Sequence, residues 1–101
     1  MTKLNIIKPE YLKMLTDIFK NYCPNAEIWA YGSRVNGDSH DGSDLDMVVK
    51  SFNDGNKNIA ELRQLLNDSN IPFLMDISEF DKMPNYMQTE ILKKYVIIFG
   101  S

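Results

Sequence analysis

"YGSRVNGDSHDGSDLDMVV", Tyr31 to Val49, is the stretch on which the reading of the fold turns. Its nineteen residues hold a Gly-Ser pair, an arginine and four aspartates, and then run without a break into apolar residues. In "DLDMVVK", Asp44 to Lys50, the two-residue period of a strand sets Asp44, Asp46 and Val48 on one face and Leu45, Met47 and Val49 on the other. Just upstream, "AEIWAY", Ala26 to Tyr31, is short, rich in strand formers and bounded by Asn25 and Gly32. One strand therefore delivers the Gly-Ser pair at its end, a Gly/Ser/Asn/Asp-rich loop with room for one helical turn covers 32–43, and a second strand returns with two carboxylates on one face.

Working outward, Pro9 can open a helix in which Tyr11, Leu12, Leu15, Ile18, Phe19 and Tyr22 recur at three- and four-residue spacing until Pro24 and Asn25 stop it. Beyond the second strand, "NDGN" (53–56) is a turn, and Ile59, Leu62, Leu65 and Leu66 mark a second helix ending near 67–70. "PFLMDI", Pro72 to Ile77, predicts a third strand whose one charge is Asp76. Pro84 can open a last helix through Lys94, with Met83, Met87, Ile91 and Tyr95 at four-residue spacing, before a terminal strand, "VIIF". The order α-β-β-α-β-α-β predicts an α+β (α/β) domain over 1–101, a small mixed sheet of about four strands flanked by helices.

At 101 residues the chain has room for one core, and no apolar run reaches the ~20 residues of a membrane span. The N-terminal segment lacks the apolar stretch of a signal peptide and Cys23 is the one cysteine, so the expected location is the cytoplasm. A net charge of -3 with dispersed lysines argues against an electrostatic grip on nucleic acid. Arg34 and Arg63 are the two arginines, and the first lies beside the Gly-Ser pair.

Glycine and a small hydroxyl residue directly after a strand let the backbone approach a ligand, so amide hydrogens and the Ser33 hydroxyl can meet phosphate oxygens. Two familiar loops fail here. Gly32 and Gly37 have P-loop spacing, but Asp38 stands where the phosphate-binding lysine belongs. With Gly42 as the sixth residue of an EF-hand, Gly37 and Val48 fall where carboxylates are required. What survives is Asp44 and Asp46 on one strand face, with Asp76 on a strand able to lie beside it. Carboxylates gathered this way resist ionisation unless a cation joins them, and magnesium takes carboxylate oxygens together with phosphates and waters.

The plainer readings are solvated turn residues for Asp44 and Asp46, and a cap of the following "SEF" for Asp76. Asp38, Asp41 and Ser43 read as loop residues, and His40 as a loop histidine with no partners for zinc. Cys23 and Trp29 read as packing residues, and the methionines, Tyr86 and Tyr95 as core or partner contacts.

"GS" at Gly32-Ser33, ten residues, then "DLD" at 44–46 and a later strand aspartate, Asp76, resemble the nucleotidyltransferase superfamily typified by DNA polymerase beta. More narrowly, the chain resembles the minimal nucleotidyltransferases, small antitoxin partners of HEPN-domain toxins in prokaryotes. The resemblance implies that Asp44, Asp46 and Asp76 hold magnesium as two ions, with Asp76 helping to deprotonate an attacking hydroxyl. It implies that Gly32 and Ser33 cradle the terminal phosphates of ATP and that Arg34 neutralises their charge. The reaction it implies is transfer of AMP to a tyrosine hydroxyl of a HEPN-domain toxin; the sequence leaves open a homodimer or a hetero-oligomer. Many members carry a second arginine after the Gly-Ser turn, where this chain has Asn36. Two alternatives stay open: an antitoxin that neutralises by binding alone, and a nucleotidyltransferase acting on a small molecule.

Overall fold

The computed structural model describes residues 7–32, 35 and 44–100. Its elements are α1 (Pro9–Tyr22), β1 (Glu27–Tyr31), β2 (Leu45–Ser51), α2 (Ile59–Asn67), β3 (Met75–Glu79), a 3-10 turn (Phe80–Lys82), α3 (Asn85–Lys93) and β4 (Val96–Phe99). The four strands form one mixed sheet in the order β3-β2-β1-β4. β1 pairs antiparallel with both β2 and β4, and β2 pairs parallel with β3. The expected α+β class and element order are those of the structure.

Local chemistry accounts for the helices. Pro9 sits in the first turn of α1, where its missing N–H costs no helical bond. Leu15 and Phe19, one turn apart, are fully buried, while Lys13 and Asp17 pair at 3.1 Å on the solvent side. Asn58 caps α2 by accepting from the Glu61 backbone N–H at 2.8 Å. The Tyr22 hydroxyl donates to the Glu61 carboxylate, which ties the end of α1 to the first turn of α2. These contacts hold both helices against one face of the sheet.

Strand alternation divides the core in two. Ile28, Ala30, Leu45, Met47, Val49 and Ile77 pack with the buried residues of α1 and α2 in the larger cluster. On the opposite face Trp29, Val48, Phe80 and Ile91 form a smaller one, so α3 and the 3-10 turn cover only part of that side. Trp29 is buried as expected, stacks on Tyr95 at 3.9 Å, and donates from its indole nitrogen to Glu27 at 2.7 Å. Cys23 is buried, and burial pushes its thiol up to about 11.

Several boundaries differ from expectation by one residue, and those of β3 by more. β3 starts at Met75, not Pro72, and runs on to Glu79. Proline has no N–H to give a ladder, and the carbonyl of Leu74 accepts from the Leu45 N–H at 2.9 Å as the strands meet. β2 begins at Leu45, one residue after Asp44.

Candidate active site

The partly covered face is the one that carries the acidic residues. In the antiparallel ladder Trp29 faces Val48 and Tyr31 faces Asp46. In the parallel ladder Asp46 faces Asp76. Tyr31, Asp46 and Asp76 therefore form one row across three adjacent strands. Side chains directly opposite on neighbouring strands stand ~4.5–5.5 Å apart at Cβ, close enough for two carboxylates to feel each other. The pairing expected of Asp76 with the β2 carboxylates is thus met at Asp46.

Burial is uneven along the row. Asp46 is half-buried, whereas Asp44 and Asp76 are exposed. Burial raises the Asp46 carboxyl above the usual carboxylate range, and the charges of Asp76 and Asp44 raise it further. Burial likewise pushes the Tyr31 hydroxyl up to about 12, with Asp46 and then Asp76 adding to it. Tyr31 does not ionise at neutral pH, so it stands as a neutral wall beside the carboxylates. Asp76 is not a cap, since the 3-10 turn is entered at Glu79 without a side-chain cap bond.

Gly32 closes the row at the end of β1. Its φ of +86° is a left-handed conformation open to glycine at little cost, and its carbonyl accepts from the Val35 N–H at 3.0 Å. A Cβ built on Gly32 would lie 2.5 Å from Asp46 Oδ2. Glycine is therefore required here twice over, by the turn and by the carboxylate. A cleft of about 210 Å³ opens beside it, walled by Tyr31 and Gly32 on one side and by Met87, Glu90, Lys93 and Lys94 of α3 and its end on the other.

Among the described residues, no group of three or more His, Cys, Asp or Glu side chains is drawn together tightly enough to hold a metal ion. The donor chemistry nevertheless fits a hard cation, because the one half-buried carboxylate is disfavoured as an anion by burial and by two neighbouring aspartates. Ser33 and Arg34, expected at the phosphates, lie outside the described residues, as do Asn36, Asp38, His40, Asp41 and Ser43. Sequence reasoning missed Tyr31 as a member of the row. Its place directly before the Gly-Ser pair was visible, but its partner on β2 depends on a register that the loop between the strands does not reveal.

The family described as polymerase beta, nucleotidyltransferase matches residues 13–101. The chain belongs to that family. Within it, the chain is 29% identical over 93 residues to the probable protein adenylyltransferase MntA of Haemophilus influenzae (strain ATCC 51907 / DSM 11121 / KW20 / Rd), covering 91% of this chain and 82% of that one. It also matches a crystal structure of a toxin-antitoxin with AMP-PNP, with a TM-score of 0.64, 23% identity, and coverage of 93% of this chain and 75% of that one. At that identity the likeness is one of fold. Seen as a nucleotidyltransferase, the chain has its acidic row at the carboxyl-terminal edge of β1, at the end of the strand that delivers the Gly-Ser pair.

Proposed function

We propose that this nucleotidyltransferase is an antitoxin that transfers AMP from ATP to a tyrosine hydroxyl of a HEPN-domain toxin. The observation that carries the reading is the direct pairing of Asp46 with Asp76, with Gly32 packed against the Asp46 carboxylate. A protein as acceptor is supported by the relative described as a protein adenylyltransferase, and a toxin partner by the toxin-antitoxin fold match.

Asp44, Asp46 and Asp76 would hold magnesium as two ions, which when bound supplies positive charge to the triphosphate oxygens. Gly32 and Ser33 hold the terminal phosphates, and Arg34 adds charge there. The acceptor oxygen forms a bond to the α-phosphorus while the bond from that phosphorus to the β-bridging oxygen breaks. Pyrophosphate leaves with the electron pair, and the hydroxyl proton passes to Asp76. Positioning and electrostatics supply the rate, as is general for transfer at phosphorus.

The test is transfer of label from α-phosphate-labelled ATP to the cognate toxin in the presence of magnesium. Wild-type protein labels the toxin and Asp44→Asn with Asp46→Asn does not; label in the double variant at the wild-type rate rejects the assignment. A second reading, neutralisation by binding, draws on the exposed Leu74, Tyr86 and Leu92. It is favoured if the double variant still protects cells from the toxin at full strength.

A further inference from the structure

We infer that Lys94 is a phosphate-holding residue of this site, donating from Nζ to the β- or γ-phosphate of the bound triphosphate. The inference rests on the nucleotidyl-transfer reading above and adds a residue from the far end of the chain. Its basis is the sheet register. Trp29 pairs with Ile97 and Ala30 with Val96 across β1 and β4. The ladder ends there, two residues short of Gly32 on one chain segment and of Lys94 on the other, and both residues line the same cleft. The end of α3 and the end of β1 thus face one another across the cleft, and Gly32 connects it to the Asp46 carboxylate.

Charge singles out Lys94 from its neighbours. Glu90 and Lys93 form an ion pair at 2.9 Å, exposed to solvent, so Lys93 is shared with a carboxylate on its own helix. Lys94 has no ion pair among the described residues. Its backbone is fixed at the helix end, where its N–H donates to the Ile91 carbonyl at 3.1 Å, while the residue itself is exposed. A triphosphate approaching Asp44, Asp46 and Asp76 meets an acidic site in a protein of net charge -3. The uncommitted ammonium on the opposite wall offsets part of that repulsion and gives the anion a point to anchor.

Size sets which part of the nucleotide enters. At about 210 Å³ the cleft is smaller than the ~300 Å³ at which pockets begin to bury a drug-sized ligand. It suits a portion of the nucleotide, and the lysine and the glycine turn at its mouth favour the phosphate tail over the base.

Isothermal titration of the full chain with ATP, ADP and AMP, in magnesium, tests this on wild type, Lys94→Ala and Lys94→Arg. Lys94→Ala should weaken ATP by roughly tenfold to a hundredfold, the scale of one charge-assisted hydrogen bond, and leave AMP within about twofold. Lys94→Arg should keep most of the ATP affinity, and the melting temperatures of all three should agree. Equal ATP affinity in wild type and Lys94→Ala overturns the inference alone. An equal loss for AMP and ATP also overturns it and gives the cleft to the nucleoside. Failure of wild type to bind ATP at all overturns the nucleotidyl-transfer reading and the lysine's role together.

Discussion

Replacing Gly32 by alanine tests the link between the turn and the carboxylate row. Two costs follow from the structure. At φ +86° an L side chain loses ~1–2 kcal/mol relative to glycine. The new Cβ would also lie 2.5 Å from Asp46 Oδ2, so the carboxylate must rotate, at ~0.5–1.5 kcal/mol if it leaves its rotamer. The sum is about 2.5 kcal/mol, a melting temperature lower by roughly 10–20 °C in a domain of this size. Gly55 is the control, because nothing lies within 4 Å of a Cβ built there, and Gly55→Ala should stay within ~0.5 kcal/mol of wild type. Transfer activity should fall further than folding does. A displacement of ~1 Å at a reacting group costs on the order of a hundredfold. Calorimetric melting and labelled-AMP transfer on both variants measure the two effects. If Gly32→Ala melts with Gly55→Ala and transfers AMP at the wild-type rate, the close contact with Asp46 is not what the turn requires glycine for.

Other expectations concern the scaffold. Asn58→Ala removes the cap of α2 and should cost ~1 kcal/mol in urea denaturation, with the slope unchanged. Phe19→Ala empties a fully buried position and should cost ~3–5 kcal/mol, enough to unfold much of the protein at 37 °C. Because burial pushes the folded Cys23 thiol up to about 11, above its ordinary value of 9.0, the unfolded chain loses that proton first as pH rises. Stability contributed by the neutral thiol is therefore complete below pH 9 and declines toward pH 11. Cys23→Ala should flatten that part of the pH-stability curve, measured by thermal melts.

Much of this architecture follows from patterns that a single sequence carries. The three-four spacing of α1, the alternation of β2 and the turn residues around 53–56 are local signals, and the elements formed where those signals lie. The acidic face was legible for the same reason, since Asp46 and Val48 share a side by strand period alone. Register is different. The parallel pairing of Asp46 with Asp76 depends on how α2 crosses between β2 and β3, and no local residue encodes that length exchange. Tyr31 entered the row, and Lys94 the cleft, through the same kind of long-range alignment. Gly32 is an intermediate case: its turn role is a local property, whereas its contact with Asp46 exists only once β1 and β2 have paired.

On the proposed function, the paired aspartates beside Gly32 carry out nucleotidyl transfer to a protein hydroxyl. Intact-mass spectrometry of the cognate HEPN-domain protein after incubation with ATP, magnesium and this chain tests it most directly. Wild-type protein should add one or more AMP units on a tyrosine, and Asp46→Asn, whose melting temperature should not fall, should add none. An unchanged partner mass with folded wild-type protein, or an equal gain with Asp46→Asn, would contradict it.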